Sequence, residues 1–154
     1  MKIRNLIDKI LSRALIAIMA VMVLNVLWQV FTRYVTGNPS SITDELARYL
    51  MIWIGILGAA YVSGKNLHVA IDILPSRTNS KTQEKLKSIV TVLVILFVLF
   101  AFVIGGSRLV YLSYILGQQS PALQIPLAVV YSILPISGLL IIFYKASDLL
   151  NKGT

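Results

Sequence analysis

His68 and Asp72, four residues apart, are the nearest thing to an acid–base pair in this chain of 154 residues. On a helix they share a face, and such a pair could relay a proton. One His and one Asp near the end of a helix more often make a structural contact, and no nucleophile accompanies them at a plausible depth. A second cluster, Asp44, Glu45 and Arg48, has the spacing of helical ion pairs: Glu45 and Arg48 can pair at i,i+3, and Arg33 lies a short loop away. A third set is neutral. Asn25 and Gln29 face the same way on an otherwise apolar segment, where they serve either a solute path or hydrogen bonds between helices. Two amides without a carboxylate favour the hydrogen bonds. With no cysteine, no disulfide framework or thiolate metal site is available. No metal cluster and no phosphate-binding loop is recognisable, so the chain is expected to be neither an enzyme nor the holder of a cofactor.

The elements that position these residues are set by where charge is missing. Of all residues 57% are hydrophobic and 13% charged, too little polar surface for a soluble domain of this size. Charge is absent over 14–32, 49–64, 88–107 and 109–144. About 20 apolar residues cross a bilayer as a helix. The first three runs fit one crossing each, and the fourth is broken near its start by Gly117-Gln118-Gln119-Ser120-Pro121. Strands of a membrane barrel would alternate apolar and polar residues, and these segments do not. The expected fold is therefore an all-α membrane protein with four transmembrane helices in one domain, 1–154.

Residues 2–13 are amphipathic. Ile3, Leu6, Ile7, Ile10 and Leu11 recur at helical spacing, opposite Lys2, Arg4, Asp8, Lys9 and Arg13. That pattern predicts a helix lying in the headgroup layer. The spans are expected at about 14–35, 43–74, 82–116 and 126–149. Asn38-Pro39 ends the first. Ser or Thr near Thr43 caps the second, with Asp44 and Glu45 in its first turn, and Pro75 ends it. Pro126 suits a first turn, and Pro135 should kink the last span. Gly55, Ala59 and Ser63 form a small-residue stripe that permits close helix approach.

Orientation follows from Lys and Arg. Lys2, Arg4, Lys9, Arg13, Lys65, Arg77, Lys81, Lys85, Lys87, Lys145 and Lys152 fall on one side, and Arg33, Arg48 and Arg108 on the other. The positive-inside rule places both termini in the cytoplasm. The net charge of +8 reflects that bias and headgroup contact rather than nucleic-acid binding. None of the charge-free runs holds an acid or a base, so the residues that a proton pump, a multidrug antiporter or a voltage sensor needs are missing.

Arg33-Tyr34, Thr43-Asp44-Glu45-Leu46-Ala47-Arg48-Tyr49, Trp53, Gly58-Ala59-Ala60 and His68-Val69-Ala70-Ile71-Asp72 resemble the small, DctQ-like membrane subunit of tripartite ATP-independent periplasmic (TRAP) transporters. The detailed match covers about 33–74, and the four-span layout extends it over nearly the whole chain. One departure is that Ile42 or Thr43 stands where the family often has a Trp. The resemblance implies a scaffold beside a large, elevator-type permease subunit that holds the sodium and solute sites. A periplasmic binding protein delivers an organic acid such as a sialic acid or a C4-dicarboxylate. It places the chain in the bacterial inner membrane. It implies that Arg33, Asp44, Glu45, Arg48 and Trp53 at the outer end, and His68 and Asp72 at the inner end, contact partners or brace the bundle. Two other readings stand beside it: a stand-alone four-span transporter or channel, and a membrane adaptor with no transport role.

Overall fold

A computed structural model describes residues 2–37, 40–65 and 80–150. All regular structure among them is helical: α1 Lys2–Phe31, α2 Ser41–Gly64, α3 Ser80–Val98, α4 Gly106–Ile115, α5 Leu127–Tyr131 and α6 Ile133–Leu150. Four stretches are long and apolar enough to cross a membrane: Arg4–Val35, Ser41–Gly64, Ser88–Ile115 and Leu127–Leu149. Their number and apolar runs are those expected from the sequence.

The segment 2–13 is not set off as a separate helix. It is the first part of α1, which runs unbroken to Phe31 and continues as a π-helical turn over Thr32–Thr36 to Gly37. Gly37 takes φ 69°, a left-handed conformation that favours glycine.

The second span starts at Ser41, two residues earlier than expected. Ser40 occupies the cap position but makes no side-chain cap bond. The hydroxyl of Thr43 instead donates to the carbonyl of Ser40 at 2.9 Å. The described helix ends at Gly64, where the Lys65 N–H donates to the Tyr61 carbonyl. The remainder of the expected helix, 66–74, lies outside the described residues, and with it His68 and Asp72.

The third span passes from α3 through a π-helical stretch, Leu99–Gly105, into α4. The fourth is interrupted at Ser132, between α5 and α6. Pro135 has no N–H to give the Tyr131 carbonyl, and its ring crowds that carbonyl; the interruption falls beside the affected turn. Pro126 stands one position before the helix, with extended ψ, so that Leu127 is its first residue.

The main packing pairs are first span on second, second on fourth, and fourth on third. The main packing thus follows the order 1–2–4–3, and the first span also reaches the fourth at one end, through Arg4–Asp148 and Tyr144–Asp8. The fourth is the most enclosed, with 39% of its apolar window buried against 11% for the first. Leu57, Ala60, Ile133, Ile141 and Tyr144 form the core, joined by Leu11 and Val98. Backbones approach closely where side chains vanish. A Cβ on Gly138 would stand 2.9 Å from Phe102, and one on Gly106 2.9 Å from Leu134.

Candidate functional site

Polar residues gather at the two ends of the spans. At the end bearing the short connections, Asn25 is buried, and its amide donates to the Thr43 carbonyl at 2.8 Å. The Gln29 amide donates to Asp44 Oδ1 at 3.3 Å. Both amides therefore bind the first turns of α2 to α1. Hydrogen-bonding across helices is what neutral amides do best where water is scarce.

Asp44 also holds Arg48, at 2.5 Å and four residues on. The ion pair is thus Asp44–Arg48, and Glu45 points elsewhere. The reason is rotation about the helix: Glu45 lies toward the fourth span, where it is buried. One of its oxygens accepts the N–H groups of Ala122 and Leu123, both at 2.8 Å. The other accepts the Tyr49 hydroxyl at 2.7 Å.

The loop that Glu45 holds connects α4 to α5. It folds on itself through Ser120 N–H to Ile125 O, Gln124 N–H to Ser120 O and Leu127 N–H to Gln118 O. Gly117 and Gln124 take positive φ to let it turn. The half-buried Ala122 and Leu123 N–H groups take no part in those loop bonds, and backbone donors in such a position need an acceptor. A carboxylate supplies two strong ones. Two turns along α2, the Trp53 indole donates to the Val130 carbonyl at 3.1 Å. Glu45, Tyr49 and Trp53, four residues apart, are thus a polar rail between the second and fourth spans.

Beside Glu45 and the loop it holds, an open groove of about 740 Å³ is lined by Gln29, Arg33, Asp44, Arg48 and Pro121, with Glu45 and Ala122 at its edge. Arg33 and Arg48 are exposed there. Arg33 lines the groove without an ion pair among the described residues.

The opposite end holds a cluster that the sequence patterns do not announce. The Arg4 guanidinium donates to Asp148 Oδ1 at 2.6 Å and to the Gly64 carbonyl, and sits 5.6 Å from the centre of the Tyr144 ring. The Tyr144 hydroxyl donates to Asp8, which also faces Lys65 Nζ at 3.3 Å. A Cβ on Gly64 would stand 2.8 Å from the Tyr144 ring, so only glycine lets α2 and α6 meet here. Arg4 with Asp8, and Tyr144 with Asp148, are two i,i+4 pairs readable in the sequence. That they face each other is not readable, because 136 residues separate Asp8 from Tyr144.

Of the small-residue stripe, Ser63 is buried while Gly55 and Ala59 are exposed, and nothing lies within 4 Å of a Cβ at Gly55. Pro135 is half-buried beside Gly106. No group of three or more His, Cys, Asp or Glu that could hold a metal occurs among the described residues.

Comparison with known proteins places this geometry in context. The profile describing tripartite ATP-independent periplasmic transporters, DctQ component, matches residues 22–152. A Haemophilus influenzae protein named as a TRAP transporter small permease is 30% identical over 137 residues, covering 89% of this chain and 83% of that one. SiaQ of Vibrio cholerae, a sialic acid TRAP transporter small permease, is 26% identical across 97% of this chain and 83% of its own length. An isethionate TRAP transporter permease, DctMQ of Oleidesulfovibrio alaskensis, is 29% identical over 80% of this chain, which spans only 20% of that longer protein.

Proposed function

The chain belongs to the DctQ component family of TRAP transporters, a small permease subunit of a multi-pass bacterial membrane transporter; from that premise we propose that it is the fixed scaffold of a sodium-coupled importer of organic acids. The observation that carries this reading is that the runs 14–32, 49–64, 88–107 and 109–144, which make up most of the four spans, hold no acid or base, and that Arg108 is the one charge between the last two. A sodium-coupled solute needs polar or charged ligands at membrane depth, so coupling and solute sites belong to a partner. The partner is a large permease of the elevator type. The length of the isethionate relative, five times that of its match here, supports a small and a large permease part working together. A periplasmic substrate-binding protein is the third component.

The two relatives named by substrate carry sialic acid and isethionate, both organic anions. This supports an organic acid for the present transporter. The bias of Lys and Arg supports both termini in the cytoplasm of the inner membrane. The groove with Arg33, Asp44 and Arg48 then faces the periplasm, where it meets the binding protein or the large subunit. Glu45, at the edge of that groove, and Trp53 hold the loop and the fourth span in place. In this reading His68 and Asp72 fix the inner end of the second span against the bundle or the large subunit.

The test is reconstitution. The chain, co-purified in mild detergent with its large subunit and supplied with its binding protein, should drive sodium-dependent uptake of an organic acid into liposomes, and the chain alone should drive none. Charge reversal at Arg33 and Arg48 together should cut uptake or assembly severalfold. Uptake by the chain alone would overturn the scaffold reading. Full uptake by the reversed variant would remove the groove from the partner contact.

A further inference from the structure

One strip of α1 changes chemistry part-way along. Near the chain's beginning, Asn5, Lys9 and Ser12 line a polar pocket of about 250 Å³, together with Asp8, with Tyr61 of α2 and with Lys65 just past its end. Continuing on the same face at three- and four-residue steps, Ile16, Met19, Ala20 and Val23 line a shallow apolar groove of about 630 Å³, flanked by Leu15 and Leu24. Ile16, Met19, Val23 and Leu24 are each at least half exposed. Ala20, also exposed, is the small residue among larger ones that makes the surface concave.

We propose that this strip binds one anionic phospholipid, with its phosphate in the polar pocket and an acyl chain along the groove. Three observations support this occupant over a helix of another protein. The first is charge. Lys9 and Lys65 line the pocket against a single carboxylate, Asp8, whose oxygens are already taken by the Tyr144 hydroxyl and the Lys65 ammonium. Lys9 stays exposed beside the Asn5 amide. A cation here is satisfied by a lipid phosphate, whereas burying it under an apolar helix leaves it unpaired at high cost.

The second is length. From Leu15 to Leu24 the helix rises about 13 Å at 1.5 Å per residue, close to the hydrocarbon depth of one leaflet, about half of 30 Å. A packed partner helix would need a concave track through both leaflets. The third is continuity: pocket and groove share one face of one helix, in the order of headgroup and chain. The inference goes beyond the transporter reading and rests only on the spans lying in a bilayer.

The experiment uses the complete chain with its co-purified membrane partner in nanodiscs. The discs carry either phosphatidylglycerol or phosphatidylcholine with the same photoactivatable acyl chain, and crosslinks are mapped by mass spectrometry. The expected result is that phosphatidylglycerol labels residues 15–24 about fivefold more than phosphatidylcholine, the preference one lysine near an anionic headgroup supports. Lys9→Gln should bring the two lipids level. Ala20→Phe should lower labelling by both without lowering the melting temperature, because the position is exposed. Equal labelling of the native chain would overturn the proposal in favour of unselective surrounding lipid. Crosslinks from this strip to the large subunit in place of lipid would make it a protein contact. Loss of the phosphatidylglycerol preference on adding inorganic phosphate at matched ionic strength would make the pocket a site for soluble anions.

Discussion

Glu45 shows how a single carboxylate is used where water is scarce. Its three donors, the Ala122 and Leu123 amides and the Tyr49 hydroxyl, come from two parts of the chain, and one side chain satisfies them all. In Glu45→Ala those donors lose their acceptor. Amide exchange at Ala122 and Leu123 should quicken about tenfold as the loop opens locally. Glu45→Gln should fall between, since one oxygen remains, and exchange within α6 should stay unchanged. At the far end, Arg4 and Asp148 are 23% and 17% exposed, partly shielded from solvent. Arg4→Met and Asp148→Leu should each destabilise the chain by leaving a partner unpaired, and the double variant should cost less than their sum. A double-mutant cycle from melting in detergent should return a coupling of about 1–3 kcal/mol.

Among the helices, the second span decides the arrangement because its sides do different work. The Glu45, Tyr49 and Trp53 side meets the fourth span and its loop, the Asp44 and Arg48 side faces the first span, and the groove spans both Asp44 and Glu45. Gly64 and Gly55 give contrasting tests of which face is packed. Gly64→Val would drive a side chain into the Tyr144 ring, where a Cβ alone would stand 2.8 Å away; overpacking of this kind costs about 1–3 kcal/mol. Gly55→Ala meets nothing within 4 Å and should leave the melting temperature equal or slightly higher, since alanine is the better helix former. If Gly55→Leu leaves the isolated chain stable but weakens co-purification with the large subunit, the exposed small residues Gly55 and Ala59 serve that contact.

On the scale of the whole molecule, Arg4, Gly64 and Asp148 meet at one end of the spans, and the loop after α4 meets the start of α2 at the other. Side-specific labelling tests the proposed orientation, and a chain without cysteine suits it. Gln119→Cys should react with a membrane-impermeant maleimide in intact cells, and Asn5→Cys only after lysis; the reverse would place the termini outside.

The four spans were legible in the sequence because each charge-free run reports a local balance between apolar transfer and the cost of burying charge, which needs no knowledge of neighbours. The residues that resemble the DctQ family were legible as well, since they fall within one local stretch of the chain, about 33–74. Partner choice was not. Glu45 could reach Arg48 or Tyr49 along its own helix, and its loop partners lie 77 and 78 residues away. Arg4 and Asp8 read as interfacial charges until Tyr144 and Asp148 arrive beside them. Which side of α2 packs on which span depends on how four helices stand next to one another. Periodicity fixes a helix's own faces but not what covers them, so the order 1–2–4–3, the polar rail and the locked end belong to the tertiary structure alone.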